Sequence, residues 1–237
     1  MGRKKAISNR WRAAGALLLL VLALLGYLWW SFAHWTPERG KWPQQGILVG
    51  AGDVPAQSEA VDFVAFEAIG ARFAYLEASR GADGRDLAYS RNLAAIRETG
   101  LKYGALHAFD PCVPADMQAA NFVTVVPRDP AFLPPAVELD LAGDGCEGMV
   151  NDAQVESELT TFLNQIEGHA GKPALLKISD RFEERYHLAA RIERDLWLSR
   201  EYFQPDYAGR PWTLWTANSG LHSAASAIPV RWVVVQE

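Results

Sequence analysis

Residues 73–107 read FAYLEASRGADGRDLAYSRNLAAIRETGLKYGALH. Phe73–Ala78 is a short run of apolar and aromatic side chains suited to a buried strand, Ser90–Thr99 is helix-like, and Tyr103–His107 is strand-like again. The alternation continues in both directions. Further strand-like runs lie at Gly46–Val49, Ala136–Leu141, Pro173–Ile178, Asp195–Leu198, Trp212–Thr216 and Trp232–Val235, eight in all. Helix-like segments lie between the earlier ones at Ala60–Ile69, Ala115–Val126 and Asp152–Glu167, the last with Val155, Leu159, Phe162, Leu163 and Ile166 at helical spacing. Such alternation implies a parallel α/β sheet, either doubly wound or closed, and eight strands favour a TIM-like barrel. No G-x-G-x-x-G or G-x-x-x-x-G-K-[ST] follows any strand, which argues against a nucleotide-binding version. In either topology the chemistry belongs at the C-terminal ends of the strands.

Upstream of this region the chain changes character. Arg3, Lys4, Lys5, Arg10 and Arg12 precede an uncharged run from Ala13 to Ala33, close to the roughly twenty apolar residues that cross a hydrocarbon core. Basic residues hold the near side in the cytoplasm, and Tyr27, Trp29, Trp30 and Trp35 gather at the far end, where amphipathic rings favour an interface. The expected organisation is a cytoplasmic basic segment at 1–12, a transmembrane anchor at 13–35, a polar linker at 36–45 with two prolines, and an extracytoplasmic domain at 46–237. The competing reading is a cleaved signal peptide. Against it, the run exceeds the roughly 7–15 residues of an h-region and bulky aromatics replace a small-residue cleavage site.

Composition narrows the function. The 237 residues, 49% of them hydrophobic, can bury one sizeable core. The formal net charge of -5, with basic residues dense only at the N-terminus, gives no phosphate-neutralising surface for nucleic acid. Cys112 and Cys146 are the only cysteines, a candidate disulfide in an oxidising compartment, with independent thiols as the alternative. No Cys or His spacing suggests a metal site.

The strand ends place several polar groups in one prospective mouth: Asp53 after the first strand, Glu77 on the second, His107 on the third, Glu138 and Asp140 on the fourth and Lys177 on the fifth. Glu138 and Asp140 are two apart, so on a strand their side chains leave the same face. Like charges held close raise one pKa and give a proton donor beside an anion, which glycosidic cleavage requires. Trp197, Trp212 and Trp215 near later strand ends are candidate faces for sugar rings, with ordinary core packing as the plainer explanation.

Several segments together carry a resemblance. Phe73-Ala74-Tyr75-Leu76-Glu77-Ala78-Ser79-Arg80-Gly81 is similar to F-x-Y-[IL]-K-A-T-E-G, and Gly104-Ala105-Leu106-His107 to G-A-Y-H. Leu133-Pro134-Pro135-Ala136-Val137-Glu138-Leu139-Asp140 is similar to L-P-P-x-[LV]-D-[LV]-E. Leu196-Trp197 followed by Trp212-Thr213-Leu214-Trp215 is similar to an L-W … W-x-x-W-Q ending. On these motifs the chain from Gly46 to nearly its C-terminus resembles the family 25 glycoside hydrolases, lysozymes that act on peptidoglycan. The resemblance implies an irregular (β/α) barrel, no metal or other cofactor, a peptidoglycan glycan strand as substrate, and a general acid on the fourth strand assisted by nearby aspartates and the substrate's acetamido group.

Against the family's motifs the catalytic set is altered. The first-strand G-[IV]-D-V-S reads Gly46-Ile47-Leu48-Val49-Gly50, so a carboxylate becomes Leu48. The fourth-strand D-x-E is inverted to Glu138 and Asp140; the second-strand lysine is Glu77 and the glutamate three later is Arg80. The tyrosine of Y-H is Leu106, and the late aspartate of P-V-D-x-N is Arg231. Two expectations follow: Asp53 or Glu77 replaces the lost carboxylate, and Glu77 pairs with Lys177 in the mouth. The functional expectation is a membrane-anchored, weakened lysozyme-type hydrolase, with a non-catalytic glycan or envelope binder as the alternative.

Overall fold

The computed structural model describes residues 2–50, 61–146 and 150–236, the side chains of 2–10 excepted; Asp53 lies outside the described residues. In chain order the elements are α1 (Gly2–Ala33), β1 (Gln45–Val49), α2 (Phe63–Ala68), β2 (Phe73–Arg80), β3 (Gly84–Arg85), α3 (Tyr89–Arg97), β4 (Lys102–Ala108), α4 (Ala115–Val125), β5 (Ala136–Leu139), α5 (Asp152–Ala170), β6 (Leu175–Ile178), α6 (Asp180–Tyr186), β7 (Asp195–Ser199), β8 (Leu214–Ser223) and β9 (Ser226–Val235). They fall into two units, Met1–Trp35 and Thr36–Glu237.

The first unit is α1 alone. Its stretch Trp11–Ala33 is long and apolar enough to cross a membrane, about 34 Å at 1.5 Å per residue. Leu17 to Leu20 and Trp29 are exposed. By length and composition the helix suits a membrane span, and an N-terminal signal sequence has the same character.

In the second unit β1 pairs in parallel with β2 and antiparallel with β9, closing a ring in the order β1-β9-β8-β7-β6-β5-β4-β2. The short β3 adds to the outer side of β2 as an antiparallel edge. This is the expected eight-stranded barrel with one difference. β9 runs antiparallel to both neighbours, because it returns from β8 through the turn between Ser223 and Ser226 and needs no crossover helix. The β8–β9 hairpin extends well past Thr216, and the helix α6 completes a βα unit the sequence reading lacked. Ser179 caps α6 by accepting from the Phe182 amide, and Phe182 and Tyr186, one turn apart, bury its inner stripe. The larger α5 has a full capping box between Asn151 and Gln154 and ends at Gly171, whose φ of 67° suits a residue without Cβ.

The interior stacks in layers because alternate residues of each strand point inward. Leu48, Phe73, Tyr75, Leu106, Ala136, Leu175, Trp197, Leu214 and Val233 form the apolar filling. Tyr75 and Trp197 pack with ring centroids 5.0 Å apart, a slab across the middle of the barrel. Gly104 makes room for it, since a Cβ there would meet the Tyr75 ring at 2.3 Å.

Candidate active site

Two residues nearer the mouth, the pleat that buries Tyr75, Ala136, Leu175 and Val233 points Glu77, Glu138, Lys177 and, on the antiparallel β9, Arg231 into the same interior. Gly50 admits Glu77, since a Cβ at that position would meet the glutamate's own Cβ at 2.4 Å. The four side chains are mutually compensated. Lys177 Nζ donates to Glu138 Oε1 at 2.6 Å, and Arg231 spans the pair, 3.4 Å from Glu138 Oε1 and 3.4 Å from Glu77 Oε2. Arg80 approaches Glu77 from the rim at 3.1 Å. Burial alone pushes the Glu138 carboxyl up, but Lys177, Arg231 and Arg80 outweigh it and hold the group below the usual glutamate value. A carboxylate here without such partners would protonate. Leu48 stands opposite Arg231 on the neighbouring strand, so both positions where the family motif carries an aspartate lie side by side, one apolar and one cationic.

Three sequence expectations about this mouth are corrected. Lys177 pairs with Glu138 rather than with Glu77, because β6 lies next to β5 and registers Lys177 directly on Glu138. Glu138 and Asp140 do not form a coupled acid pair: β5 ends at Leu139, leaving Glu138 clamped inward and Asp140 exposed beyond the strand. With Lys177, Arg231 and Arg80 as its neighbours, Glu138 is held below the usual glutamate value, opposite to the raised value expected of a coupled acid pair. Asp140 lines an open hollow with Asp110, Gly143, Asp144 and Arg181. The Cys112–Cys146 disulfide, Cα atoms 5.1 Å apart, joins the loops after β4 and β5 along the edge of this hollow.

His107 is likewise absent from the mouth. It lies on the outer face of β4, 0% exposed, beneath Phe122 of α4 and Phe162 of α5. Gln118 fixes its tautomer. The amide nitrogen of Gln118 donates to the carbonyls of Asp110 and Val113, and its oxygen accepts from the Asp110 amide, so that oxygen also faces His107 Nε2 at 3.2 Å. The imidazole therefore donates through Nε2 and accepts at Nδ1 from the Ser79 hydroxyl at 2.8 Å. Burial pushes its pKa down to about 4.

The tryptophans expected as sugar platforms are packing residues. Trp197 is fully buried in the barrel and donates through Nε1 to Thr216. Trp212 and Trp215 pack on Trp42, with ring centroids 5.8 Å away in each case, and expose little surface. Sequence reasoning missed Tyr207, whose hydroxyl donates to the Ile178 carbonyl at 2.6 Å and accepts from the Ser199 amide at 3.0 Å. Burial, with Asp180, Glu183 and Asp140 adding to it, pushes this phenol up to about 12. Its aperiodic, polar surroundings in sequence gave no signal. Among the described residues no cluster of three or more His, Cys, Asp or Glu is arranged to hold a metal ion.

Residues 52–220 match the family described as Glycosyl hydrolases family 25. The chain is 28% identical over 148 residues to the protein YegX of Escherichia coli K12, an alignment that takes in 61% of this chain and 52% of YegX. It therefore spans about half the length of the curated relatives it matches. Its fold is similar to that of a family 25 glycosyl hydrolase from Bacillus anthracis, with a TM-score of 0.74 and 22% identity over 86% of this chain and 93% of the other. It is also similar to a bacterial lysozyme from Streptomyces coelicolor, with a TM-score of 0.70 and 19% identity over 82% and 92% of the two chains.

Proposed function

The chain belongs to glycosyl hydrolase family 25, and from that premise we propose that it is a membrane-anchored, lysozyme-type hydrolase of peptidoglycan glycan strands with weakened activity. Family membership supports the substrate class. The exposure of Asp140 at the end of β5, beside an open hollow, is the observation that carries a surviving catalytic role. Asp140 is the proton donor in this reading, placed where the family motif has its glutamate. An aspartate carries its carboxyl one carbon-carbon bond short, about 1.5 Å, and misplacement of that order costs about a hundredfold in rate. Glu138 contributes charge rather than a proton, and Lys177 and Arg231 neutralise most of that charge where an oxocarbenium-like centre needs it. Asp53 supplies the assisting carboxylate. The family match begins at residue 52, so it includes Asp53 and leaves Leu48 outside.

The ion-paired mouth favours a second reading, a glycan-binding domain without turnover. Digestion of purified peptidoglycan by the full chain, with soluble fragments detected by mass spectrometry, separates the two. The hydrolase reading expects fragments from the wild type, loss of about a hundredfold or more in Asp140→Asn, and a smaller loss in Asp53→Asn. Sedimentation with peptidoglycan but no fragments supports the binding reading. Fragments released equally by wild type and Asp140→Asn would remove Asp140 from the mechanism.

Localisation belongs to the same proposal: residues 1–12 in the cytoplasm, 13–35 across the membrane, 36–45 as tether, and the 46–237 domain outside. A mature N-terminus beyond Ala33, or recovery of the chain in the supernatant after alkaline extraction, would replace anchor with cleaved signal.

A further inference from the structure

The barrel has a second opening, at the end opposite the strand termini that form the mouth. A cavity of about 320 Å³ enters there, within the size range of small-molecule sites. Its walls are Phe73, Leu133, Leu175, Leu214 and Val235, and its ceiling is the ring of Tyr75 backed by Trp197. The one polar atom of that ceiling is already satisfied, since the Tyr75 hydroxyl donates to the Pro134 carbonyl at 3.0 Å. Gln44 and Thr213 are the uncharged polar residues of the lining, and the rest of the wall is apolar or, at the rim, charged.

The rim is cationic on one side. Arg72 and Lys102 stand at the starts of β2 and β4, adjacent strands on which Phe73 registers with Lys102, and both line the cavity. Neither side chain forms an ion pair among the described residues. Asp195, the rim carboxylate, stands at the start of β7, across the barrel from them. The site therefore combines an apolar interior with a two-cation edge, complementary to a ligand with one hydrocarbon body and one anionic end.

We propose that the N-terminal end of the barrel is a binding site for a single-chain anionic amphiphile, its chain against Phe73, Leu175 and Leu214 and its carboxylate between Arg72 and Lys102. The site is separate from the glycan-cleaving chemistry: the Tyr75–Trp197 slab lies between it and the Glu138 layer. Its occupancy does not depend on whether the mouth turns over.

The test is photo-crosslinking of the full chain in phosphatidylcholine nanodiscs with dodecanoate bearing a terminal diazirine, adducts being mapped by mass spectrometry. The expected result is adducts on residues 73–75, 133 and 214, reduced by at least about tenfold in Arg72→Ala/Lys102→Ala, since the variant removes both charge-assisted contacts to the carboxylate. Leu133→Trp, which fills the entrance, reduces them as well. Unlabelled dodecanoate competes with wild-type labelling and dodecyltrimethylammonium does not, a comparison that needs no variant to fold. The proposal is overturned if adducts are confined to α1, if the ammonium competes as well as the carboxylate, or if a diazirine-bearing phosphatidylcholine labels the cavity as strongly.

Discussion

The two ends of the barrel interior are built from the same strands and the same pleat, yet one is filled with charge and the other with hydrocarbon. At the mouth, Glu77, Glu138, Lys177 and Arg231 neutralise one another across distances of 2.6–3.4 Å. At the opposite end Phe73, Leu175 and Leu214 leave a hollow, and the charged residues stay on the rim. Charges at the mouth are tolerated because each has a counter-charge within 3.4 Å, Lys177 in register with Glu138 and Arg231 bridging Glu138 and Glu77; removing one exposes the others to the cost of a less compensated buried ion. The apolar end has no such interdependence. Mutations should therefore couple strongly at one end and weakly at the other.

The largest effect is expected at the mouth. Lys177→Met should destabilise the domain by up to about 3–5 kcal/mol in thermal unfolding, because it leaves buried Glu138 with only the longer contact to Arg231, and adding Glu138→Gln should recover most of the loss. A double variant as unstable as the single one would mean that packing, not charge compensation, sets the cost. Next comes the disulfide that joins the loops at this end. The bridge closes 34 residues, so Cys112→Ser/Cys146→Ser should cost about 4 kcal/mol on chain entropy, less where the reduced chain keeps structure. The apolar end has no matching staple.

Acid should act through the barrel wall rather than through either end. His107 is neutral in the fold with its pKa pushed down to about 4. The unfolded chain, with an ordinary histidine near 6.5, binds a proton first as pH falls, so stability is lost between pH 6.5 and 4, by about 3 kcal/mol. His107→Gln should flatten that limb of the stability profile; an unchanged slope would assign it to other groups. The smallest effect belongs to the apolar rim: Arg72→Ala and Lys102→Ala should each shift stability by about 0.5 kcal/mol or less. A larger loss would show that the rim cations are structural and would erase the contrast between the ends.

How far the sequence reveals this contrast depends on range. Strand positions and the eightfold count were legible because apolar runs report burial locally, and the barrel follows from their number. The antiparallel return of β9 was not, since run length says nothing of direction. The helix α6 escaped because seven residues with two inward aromatics give too short a period, although Ser179 is a recognisable cap. In the mouth, the residue types were legible and their partners were not. Like-charge coupling of Glu138 with Asp140 was inferred from spacing along one strand, whereas the deciding neighbour of Glu138 is Lys177, 39 positions away and set by β5–β6 register. His107 failed for a related reason: Glu77 and Glu138 face into the barrel and His107 faces out, a difference fixed by strand phase rather than by proximity to a strand end.

The direct test of the charge-compensated mouth is a carboxyl-carbon NMR titration of Glu138 in the wild type and in Lys177→Met. The account predicts a wild-type pKa below the ordinary glutamate value and a rise when Lys177 is removed. A wild-type value above the ordinary one, unmoved by the substitution, would contradict it and return Glu138 to the role of proton donor.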